Sequence, residues 1–324
     1  MGKFLESEKP KQVQFKHTSA TISEQAREAG MFKGTPRPFC LPPEYAEENL
    51  YPPIRQAAMA FFARHNIGWH QGKNGKPSNH LCSSQVAGVN FLFPFANKPA
   101  ELANMLKPVF PRIDRMIPVE DGLYVSFEWI GEENYLGERA SKNGNRTRGA
   151  NFTSADAIVM FEDQNKKRQA VLIEWKYTES YGGNYLGIAK NGTDRRKIYQ
   201  HLFDDVECIV DVNLLPNMDA LFYEPFYQFM RQQFLAARME AARELGADVV
   251  SLLHISPDAN DDFKRITSPL LSGLGATPTE IWKRLVKTEG RFVSVHGEDL
   301  FRGFATDEMQ GWKAYMQDRY TWLG

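Results

Sequence analysis

The chain has 324 residues, of which 42% are hydrophobic and 24% are charged, and its 39 Lys and Arg residues nearly balance its 40 Asp and Glu residues. This composition is typical of a soluble globular protein and excludes disordered, collagen-like and membrane-spanning classes. The net charge of −1 also excludes a protein that coats nucleic acid through a general excess of cations, so any nucleic-acid site has to be local.

The cysteines and the amino terminus favour a cytoplasmic protein. Cys40, Cys82 and Cys208 are far apart and odd in number, which fits neither a disulfide framework nor a zinc site built from paired cysteines. The first residues are charged where a signal peptide needs an apolar stretch. No apolar run approaches the ~18 residues that a membrane span requires. We therefore expect a reducing, cytoplasmic environment.

The first third of the chain is predicted to be mostly helical. Residues 1–35 are polar and are interpreted as an arm or an appended element, with a short helix near residues 22–29, to which we assign no chemistry. Apolar residues at helical spacing predict helices over residues 52–65, 83–93 and 99–106. A loop rich in Gly, Lys and Asn separates the first two of these helices.

Period-two patterns predict that a sheet begins near residue 123. Four apolar residues fall on one face of the first strand, while Glu128 lies on the opposite face. Residues 131–155 are irregular, which is unusual in a compact fold and indicates a functional loop. Residues 156–161 and 170–177 predict two strands joined by a short polar stretch. These two strands are predicted to form a hairpin.

The rest of the chain predicts an α/β arrangement. Helices are expected over residues 194–203 and 225–245, the second ending at Gly246, and buried strands over residues 247–255 and 290–295. Strands that alternate with helices favour an α/β fold. No GxxxxGK[ST] phosphate loop, GxSxG elbow or HExxH zinc pair is present, which argues against those chemistries.

Charged residues are most concentrated in the predicted hairpin. Glu174 and Lys176 alternate with apolar residues, so both side chains should leave the same face of one strand, about 7 Å apart by the rise of the strand. With the turn centred near residues 165 and 166, the numbers of paired residues add up to about 330 or 331. This register places Asp156 opposite Glu174 or Trp175. Asp156 and Glu174 should then share one end of the hairpin.

Two carboxylates at one end of a hairpin predict a metal site. They would repel each other unless a cation lay between them, and hard oxygen ligands suit Mg²⁺ or Mn²⁺. A lysine on the same face could orient or deprotonate a metal-activated water that attacks a phosphorus atom. The alternative is a structural ion pair at the end of a strand. A second Asp-x-Lys pattern, Asp262 to Lys264, lies in a polar stretch and is interpreted as a solvated loop.

The sequence around the hairpin resembles the PD-(D/E)XK nuclease superfamily, which has the restriction-endonuclease-like fold. The matching core is Thr153-Ser-Ala-Asp156 followed by Ile173-Glu-Trp-Lys176, with Ala155 at the position of the superfamily's proline. Longer stretches resemble a bacterial group of restriction endonuclease-like proteins, so that the likeness spans roughly residues 79–255. These stretches are residues 127–130, 134–139, 148–156 and 172–180.

The resemblance implies both a fold and a set of site residues. The implied fold is α/β, with a mixed central sheet flanked by helices and a helical N-terminal region. Residues 1–118 would form the arm and helical region, and residues 119–324 the nuclease core with a C-terminal extension. Asp156 and Glu174 would be metal ligands, and Lys176 the catalytic lysine.

Further residues are candidates for the metal site and for DNA contacts. Many relatives have an additional acidic residue upstream, for which Glu128 is the best candidate; the alternative is a glutamate on an exposed strand face. Residues 139–148 contain four basic residues and no acidic one, which predicts contacts with phosphates. These four residues are Arg139, Lys142, Arg146 and Arg148. The alternative is a surface loop whose charge is balanced by the glutamates before it.

Five polar residues inside apolar helices could also face a scissile phosphate, and we assign a role to none of them. They are Gln85, Asn90, Gln228, Arg231 and Gln232.

The leading hypothesis is a Mg²⁺-dependent deoxyribonuclease of restriction or defence type, with Mn²⁺ able to substitute and DNA as its partner. The alternatives are a catalytically silent module of the same fold that binds nucleic acid or supports assembly, and an enzyme of this fold that acts on RNA. Cutting a duplex needs two active sites or two visits, so a homodimer is also expected.

Overall fold

A computed structural model of the protein describes residues 2–138, 146–149, 152–304 and 306–324. Its strands are β1 (Gly30–Phe32), β2 (Thr35–Arg37), β3 (Ile113–Ile117), β4 (Val125–Trp129), β5 (Ala155–Asp163), β6 (Arg168–Trp175), β7 (Val249–Ser256) and β8 (Phe292–His296). Its α-helices are α1 (Lys3–Thr18), α2 (Arg55–Arg64), α3 (Ser84–Leu92), α4 (Pro99–Leu106), α5 (Arg196–Phe203), α6 (Phe226–Ala242), α7 (Pro278–Leu285), α8 (Gly297–Gly303) and α9 (Gln310–Arg319). None of the helices in these ranges is long and apolar enough to span a membrane.

Six strands form one mixed sheet. Five of them follow the order β3-β5-β6-β7-β8, and the sixth, β4, pairs with the first half of β5 on the same edge where β3 pairs with its second half. β5 and β6 form an antiparallel hairpin, whereas β6, β7 and β8 run parallel. Ala157 lies opposite Ile173 in the hairpin, so the numbers of paired residues add up to 330, one of the two predicted registers. The predicted α/β class, the mixed sheet and the hairpin are thus confirmed.

Helices cover both faces of the sheet, because the strands present apolar side chains on both. Val159 and Ile173 face a core that also contains residues of α1 to α4, α8 and α9. Ile158 and Leu172 face a second core, formed with α5, α6 and α7. A strand buried on both faces appears in the sequence as a continuous apolar run rather than as an alternating one. This explains the apolar pattern of β7.

The first residues of the chain form a helix that the sequence did not predict. Residues 3–18 form α1, and the predicted helix near residues 22–29 is only a short 3-10 turn at residues 25–27. The buried side of α1 is largely polar: Glu8 accepts a hydrogen bond from the Tyr177 hydroxyl, and Gln12 donates to a backbone carbonyl of α9. Polar residues with polar partners leave no apolar stripe, so periodicity alone did not reveal this helix.

The end of α6 also differs from the prediction. The helix ends at Ala242 rather than near Gly246, because Arg243 adopts a left-handed backbone conformation with φ of 53°. Left-handed residues commonly end helices, and glycine is the usual choice because it has no Cβ. Here an arginine takes that conformation, which the sequence does not signal.

A buried arginine of the last α-helix, Arg319, binds backbone groups in the first third of the chain. Arg319 of α9 is fully buried and donates hydrogen bonds to the backbone carbonyl of Asn49 (2.5 Å) and to the Tyr315 hydroxyl (2.6 Å). It also donates to the carbonyl of Leu81 at 3.2 Å. Residues on both sides of the predicted boundary at residue 118 therefore pack together, and the division into two regions stays a prediction.

Candidate active site at the end of the hairpin

The three predicted carboxylates lie on neighbouring strands at one end of the sheet. Glu128 is on β4, Asp156 on β5 and Glu174 on β6. The last β5–β6 pair at this end is Ala157 opposite Ile173, and Asp156 and Glu174 are the next residues of the two strands. The β4–β5 register places Glu128 opposite Asp156. These three residues form a row across the sheet, which we call the carboxylate row.

The Asp156 carboxylate is anchored by the adjacent strand. Its Oδ2 atom accepts a hydrogen bond from the backbone N–H of Trp175 at 2.8 Å. Burial and the negative charge of Glu174 raise the pKa of Asp156 well above its usual value, although the Lys176 ammonium acts in the opposite direction. Keeping the Asp156 carboxylate ionised therefore costs free energy, and a bound cation would reduce that cost.

Glu174 and Lys176 form a buried ion pair on the side of the sheet covered by α6. Glu174 is 0% exposed, and its Oε1 atom contacts the Lys176 ammonium. No hydrogen-bond donor in standard geometry reaches Oε1, so this ionic contact is its partner among the described residues. Burial by itself would lower the pKa of Lys176, but the charge of Glu174 and other nearby acidic groups raises it well above its usual value. Lys176 is therefore an ammonium ion.

Three glutamines hold these charged groups in place. On α6, Gln232 donates to Oε2 of Glu174, and Gln228 accepts a hydrogen bond from Lys176 at 2.8 Å. On α3, Gln85 donates to Glu128 at 2.8 Å. All three were noticed in the sequence as polar residues in apolar helices, but no role was assigned to them. The spacing of four residues between the two on α6, which puts both on one helix face, was the available signal.

The other two polar helix residues have different surroundings. Asn90 accepts a hydrogen bond from the backbone N–H of Tyr51 and donates to the Tyr320 hydroxyl, within the core. The Arg231 guanidinium lies 4.5 Å from the centre of the Tyr227 ring. Neither contact reaches the carboxylate row.

Glu128 is buried rather than exposed. It is 7% exposed and adopts a left-handed backbone conformation with φ of 50°. This conformation interrupts the alternation of β4, so that Phe127 joins one core and Trp129 the other. Its carboxylate accepts hydrogen bonds from Gln85 and from the Ser154 hydroxyl (2.9 Å), and burial raises its pKa. The alternative of an exposed-face glutamate does not describe this side chain.

The donor set at Asp156 and Glu174 suits a hard divalent cation. Mg²⁺ is commonly bound through one or two carboxylates, with the remaining ligands supplied by water and substrate phosphate. The described residues contain no group of three or more His, Cys, Asp or Glu side chains arranged to hold a metal, so the fit rests on this pair. A cavity of about 10 Å³ borders Asp156 and Glu128, which is about the space of one water molecule.

The second Asp-x-Lys pattern has different surroundings. Lys264 pairs with Asp258 and Asp261, both at 3.0 Å, in a partly exposed turn. Asp262 accepts a hydrogen bond from the backbone N–H of Phe4 at the start of α1. No second strand brings another carboxylate to this lysine in the described part of the chain. Lys264 therefore offers a matched control for Lys176.

The predicted DNA-binding residues are only partly described. Arg139 and Lys142 lie outside the described residues. Arg146 donates hydrogen bonds to two backbone carbonyl groups, and Arg148 forms a two-pronged ion pair with Glu120 at 2.7 and 3.0 Å. Both guanidinium groups thus make contacts within the protein, and their contact with DNA stays a prediction.

The comparison with known families agrees with this geometry. The sequence matches the family described as "Restriction Endonuclease associating with ARP" over residues 9–321. The chain belongs to this family. The resemblance to restriction endonuclease-like proteins is thereby confirmed, and membership of a restriction endonuclease family indicates a DNA nuclease. The match extends well beyond residues 79–255 and includes most of α1 and all of α9. Searches among curated proteins and among solved structures gave no match.

Proposed function

We propose that this chain is a metal-dependent deoxyribonuclease of restriction or defence type, which hydrolyses phosphodiester bonds of DNA with Mg²⁺ or Mn²⁺. The observation that carries the proposal is the carboxylate row with Lys176 paired to one of its members. A structural ion pair would account for Glu174 and Lys176 alone. It would not account for Asp156 and Glu128, whose removal from water beside like charges opposes folding. Such groups are typical of functional sites.

In this proposal, each residue at the end of the hairpin has a defined role. Asp156 and Glu174 hold the metal ion, and Glu128 adds negative charge beside them. When bound, the ion would supply charge neutralisation at the phosphate and a water of lowered pKa. Lys176 carries its proton, so it donates hydrogen bonds that orient a water or a phosphate oxygen.

The remaining contacts support these roles. Gln228 and Gln232 fix the ion pair from α6, which keeps Lys176 and Glu174 in one geometry. The Trp175 N–H fixes one oxygen of Asp156. Asp156 is also the least buried member of the row, since it has intermediate exposure while Glu174 is fully buried. A phosphate would therefore approach from the side of Asp156.

The proposal is tested by cleavage assays on purified variants. Glu174→Gln and Lys176→Ala are each expected to abolish cleavage of a panel of circular, linear, single-stranded and methylated DNA in Mg²⁺ or Mn²⁺. Lys264→Ala, in the second Asp-x-Lys pattern, should cleave as the wild type does. End-group analysis should show 5′-phosphates and 3′-hydroxyls. Cleavage that is unchanged in both site variants would contradict the proposal, provided that circular dichroism shows all proteins to be folded.

A calorimetric titration separates the nuclease from a catalytically silent module. The wild type is expected to bind Mn²⁺, and Asp156→Asn to lose that binding because it removes a ligand charge. A wild-type protein that neither binds Mn²⁺, with or without DNA, nor cleaves any substrate would favour the silent module.

A further inference from the structure

A large pocket lies next to the carboxylate row. It has a volume of about 460 Å³ and is formed by the β1–β2 hairpin, α1, the start of α3 and the chain after β6. We call it the aromatic pocket and define it by Phe32, Arg37, Phe39, His80 and Gln85. Pockets for small ligands span roughly 300–1,000 Å³. This one has room for a single nucleotide.

Three rings line the aromatic pocket. The rings of Phe32 and Phe39 both contact the His80 ring, with centroid distances of 4.9 and 5.0 Å. All three side chains are partly exposed, although phenylalanine is usually buried. Burial and the nearby lysines lower the pKa of His80 to about 4, so its ring is neutral at neutral pH. Flat, uncharged rings of this kind are the surfaces on which nucleic-acid bases stack.

The charges around the aromatic pocket favour an anionic ligand. Lys9, Lys33 and Arg37 line it, against one carboxylate, that of Glu179, and the Lys9 ammonium also pairs with Glu6 at 2.6 Å. Glu179 accepts a hydrogen bond from the backbone N–H of Tyr177 and keeps its charge, so cations still outnumber anions in the lining. Lys33 and Arg37 are exposed and form no ion pair with another described residue. Phosphate is the anion that such a rim of cations attracts in a nucleic acid.

The aromatic pocket and the carboxylate row share a wall. Ser84 and Gln85 line both the pocket and the small cavity beside Asp156. Gln85 itself donates a hydrogen bond to Glu128. Thr178, which also lines the pocket, follows Lys176 by two residues. A nucleotide in the pocket would therefore be close to a phosphate at Asp156.

We infer that the aromatic pocket binds one unpaired nucleotide of the DNA substrate, next to the phosphate that is cleaved. The base stacks on Phe32 and Phe39, and Lys33 and Arg37 bind its phosphate. A base that stacks on these rings has left the stack of the duplex, which requires least free energy at a position that is already unpaired. This inference rests on the proposed nuclease function, since it identifies the form of DNA that the site selects.

Equilibrium binding without metal tests the inference. Fluorescence anisotropy in EDTA would compare a labelled, fully paired duplex with the same duplex carrying one bulged nucleotide. The wild type should bind the bulged duplex about tenfold more tightly or better, which is the scale of one base-stacking contact. Arg37→Gln and Phe39→Leu should each lose about tenfold in affinity for the bulged duplex. Arg302→Gln, an exposed arginine away from the pocket, should bind as the wild type does.

The design separates failure of this inference from failure of the nuclease proposal. Phe39→Leu keeps an apolar side chain and Arg37→Gln changes only an exposed group, so both variants should fold. Equal wild-type affinity for the two duplexes, or wild-type affinity in both pocket variants, overturns the inference. Because the assay contains no metal and measures no cleavage, those results leave the nuclease proposal intact. Conversely, a wild type that shows the binding preference but cleaves no DNA refutes the nuclease and retains the pocket.

Discussion

Removing the Lys176 ammonium should destabilise the protein strongly. Lys176→Met leaves the Glu174 carboxylate fully buried, near Asp156 and Glu128 and without its cation. Breaking a buried ion pair by removing one partner costs about 3–5 kcal/mol. With an unfolding entropy of about 2.1 cal/mol/K per residue, 324 residues give roughly 0.7 kcal/mol/K. The expected fall in Tm is therefore about 4–7 °C.

A double-mutant cycle isolates the contribution of the pair. Glu174→Gln keeps the shape of the side chain and an oxygen that accepts the Gln232 hydrogen bond, and Lys176 still has Asp156 nearby. Glu174→Gln should therefore lose less free energy of unfolding than Lys176→Met does. The double variant removes both charges, so it should be more stable than Lys176→Met alone. We expect a coupling free energy of about 1–3 kcal/mol. It is measured by urea unfolding in EDTA, with circular dichroism as the signal.

Two comparisons decide the outcome of this cycle. Lys264→Met breaks only partly exposed ion pairs and should cost less than about 1 kcal/mol. If the loss in the double variant equals the sum of the two single losses, Glu174 and Lys176 do not interact in solution. The arrangement at the end of the hairpin would then be wrong, and with it the positions assigned to both side chains.

Two further predictions concern the same fold. Burial and the charge of Glu174 raise the pKa of Asp156 in the folded protein above its value of 3.8 in the unfolded chain. Protonated Asp156 therefore stabilises the fold fully below pH 3.8, and this stabilisation is lost as the pH rises through the pKa of the folded state. Asp156→Asn should therefore unfold at a higher urea concentration than the wild type at neutral pH, and a difference that does not grow from acidic to neutral pH would refute this. Arg319→Met should lose about 3–5 kcal/mol in the same assay, because the side-chain oxygen of Asn49 and the Tyr315 hydroxyl stay buried without the Arg319 donor. Arg302→Met, which is exposed, should lose almost nothing, and equal stability of the two variants would contradict the buried network.

The hairpin could be predicted because its information is local. Alternating apolar residues define both strands, and the polar stretch between them sets the turn, which limits the register to two values that differ by one residue. Asp156, Glu174 and Lys176 follow from that register. The family resemblance added Glu128, which the structure places in the same row. The left-handed backbone at Glu128 could not be predicted, because glutamate has no preference for it.

Other features depend on residues that are distant in the chain. α1 packs into the first core through Phe4 and Phe15, and its buried Glu8 and Gln12 contact Tyr177 and the last turn of α9. Nothing near α1 in sequence indicates those partners. Gln85, Gln228 and Gln232 were visible as polar residues in apolar helices. Only the packing of α3 and α6 against the sheet shows that they contact the charged residues at the end of the hairpin.

The amino-acid sequence by itself determined the α/β class, the hairpin and the pair of carboxylates with a lysine at its end. Strand alternation and turn position depend on neighbours along the chain, so they can be seen without a structure. The tertiary structure decided how deeply those charges are buried, which glutamines hold them and that an aromatic pocket adjoins them. Those properties arise from contacts between residues that are 43 to 58 positions apart in the chain, such as Gln85 with Glu128 and Gln232 with Glu174, and no local pattern records the free energy of such contacts.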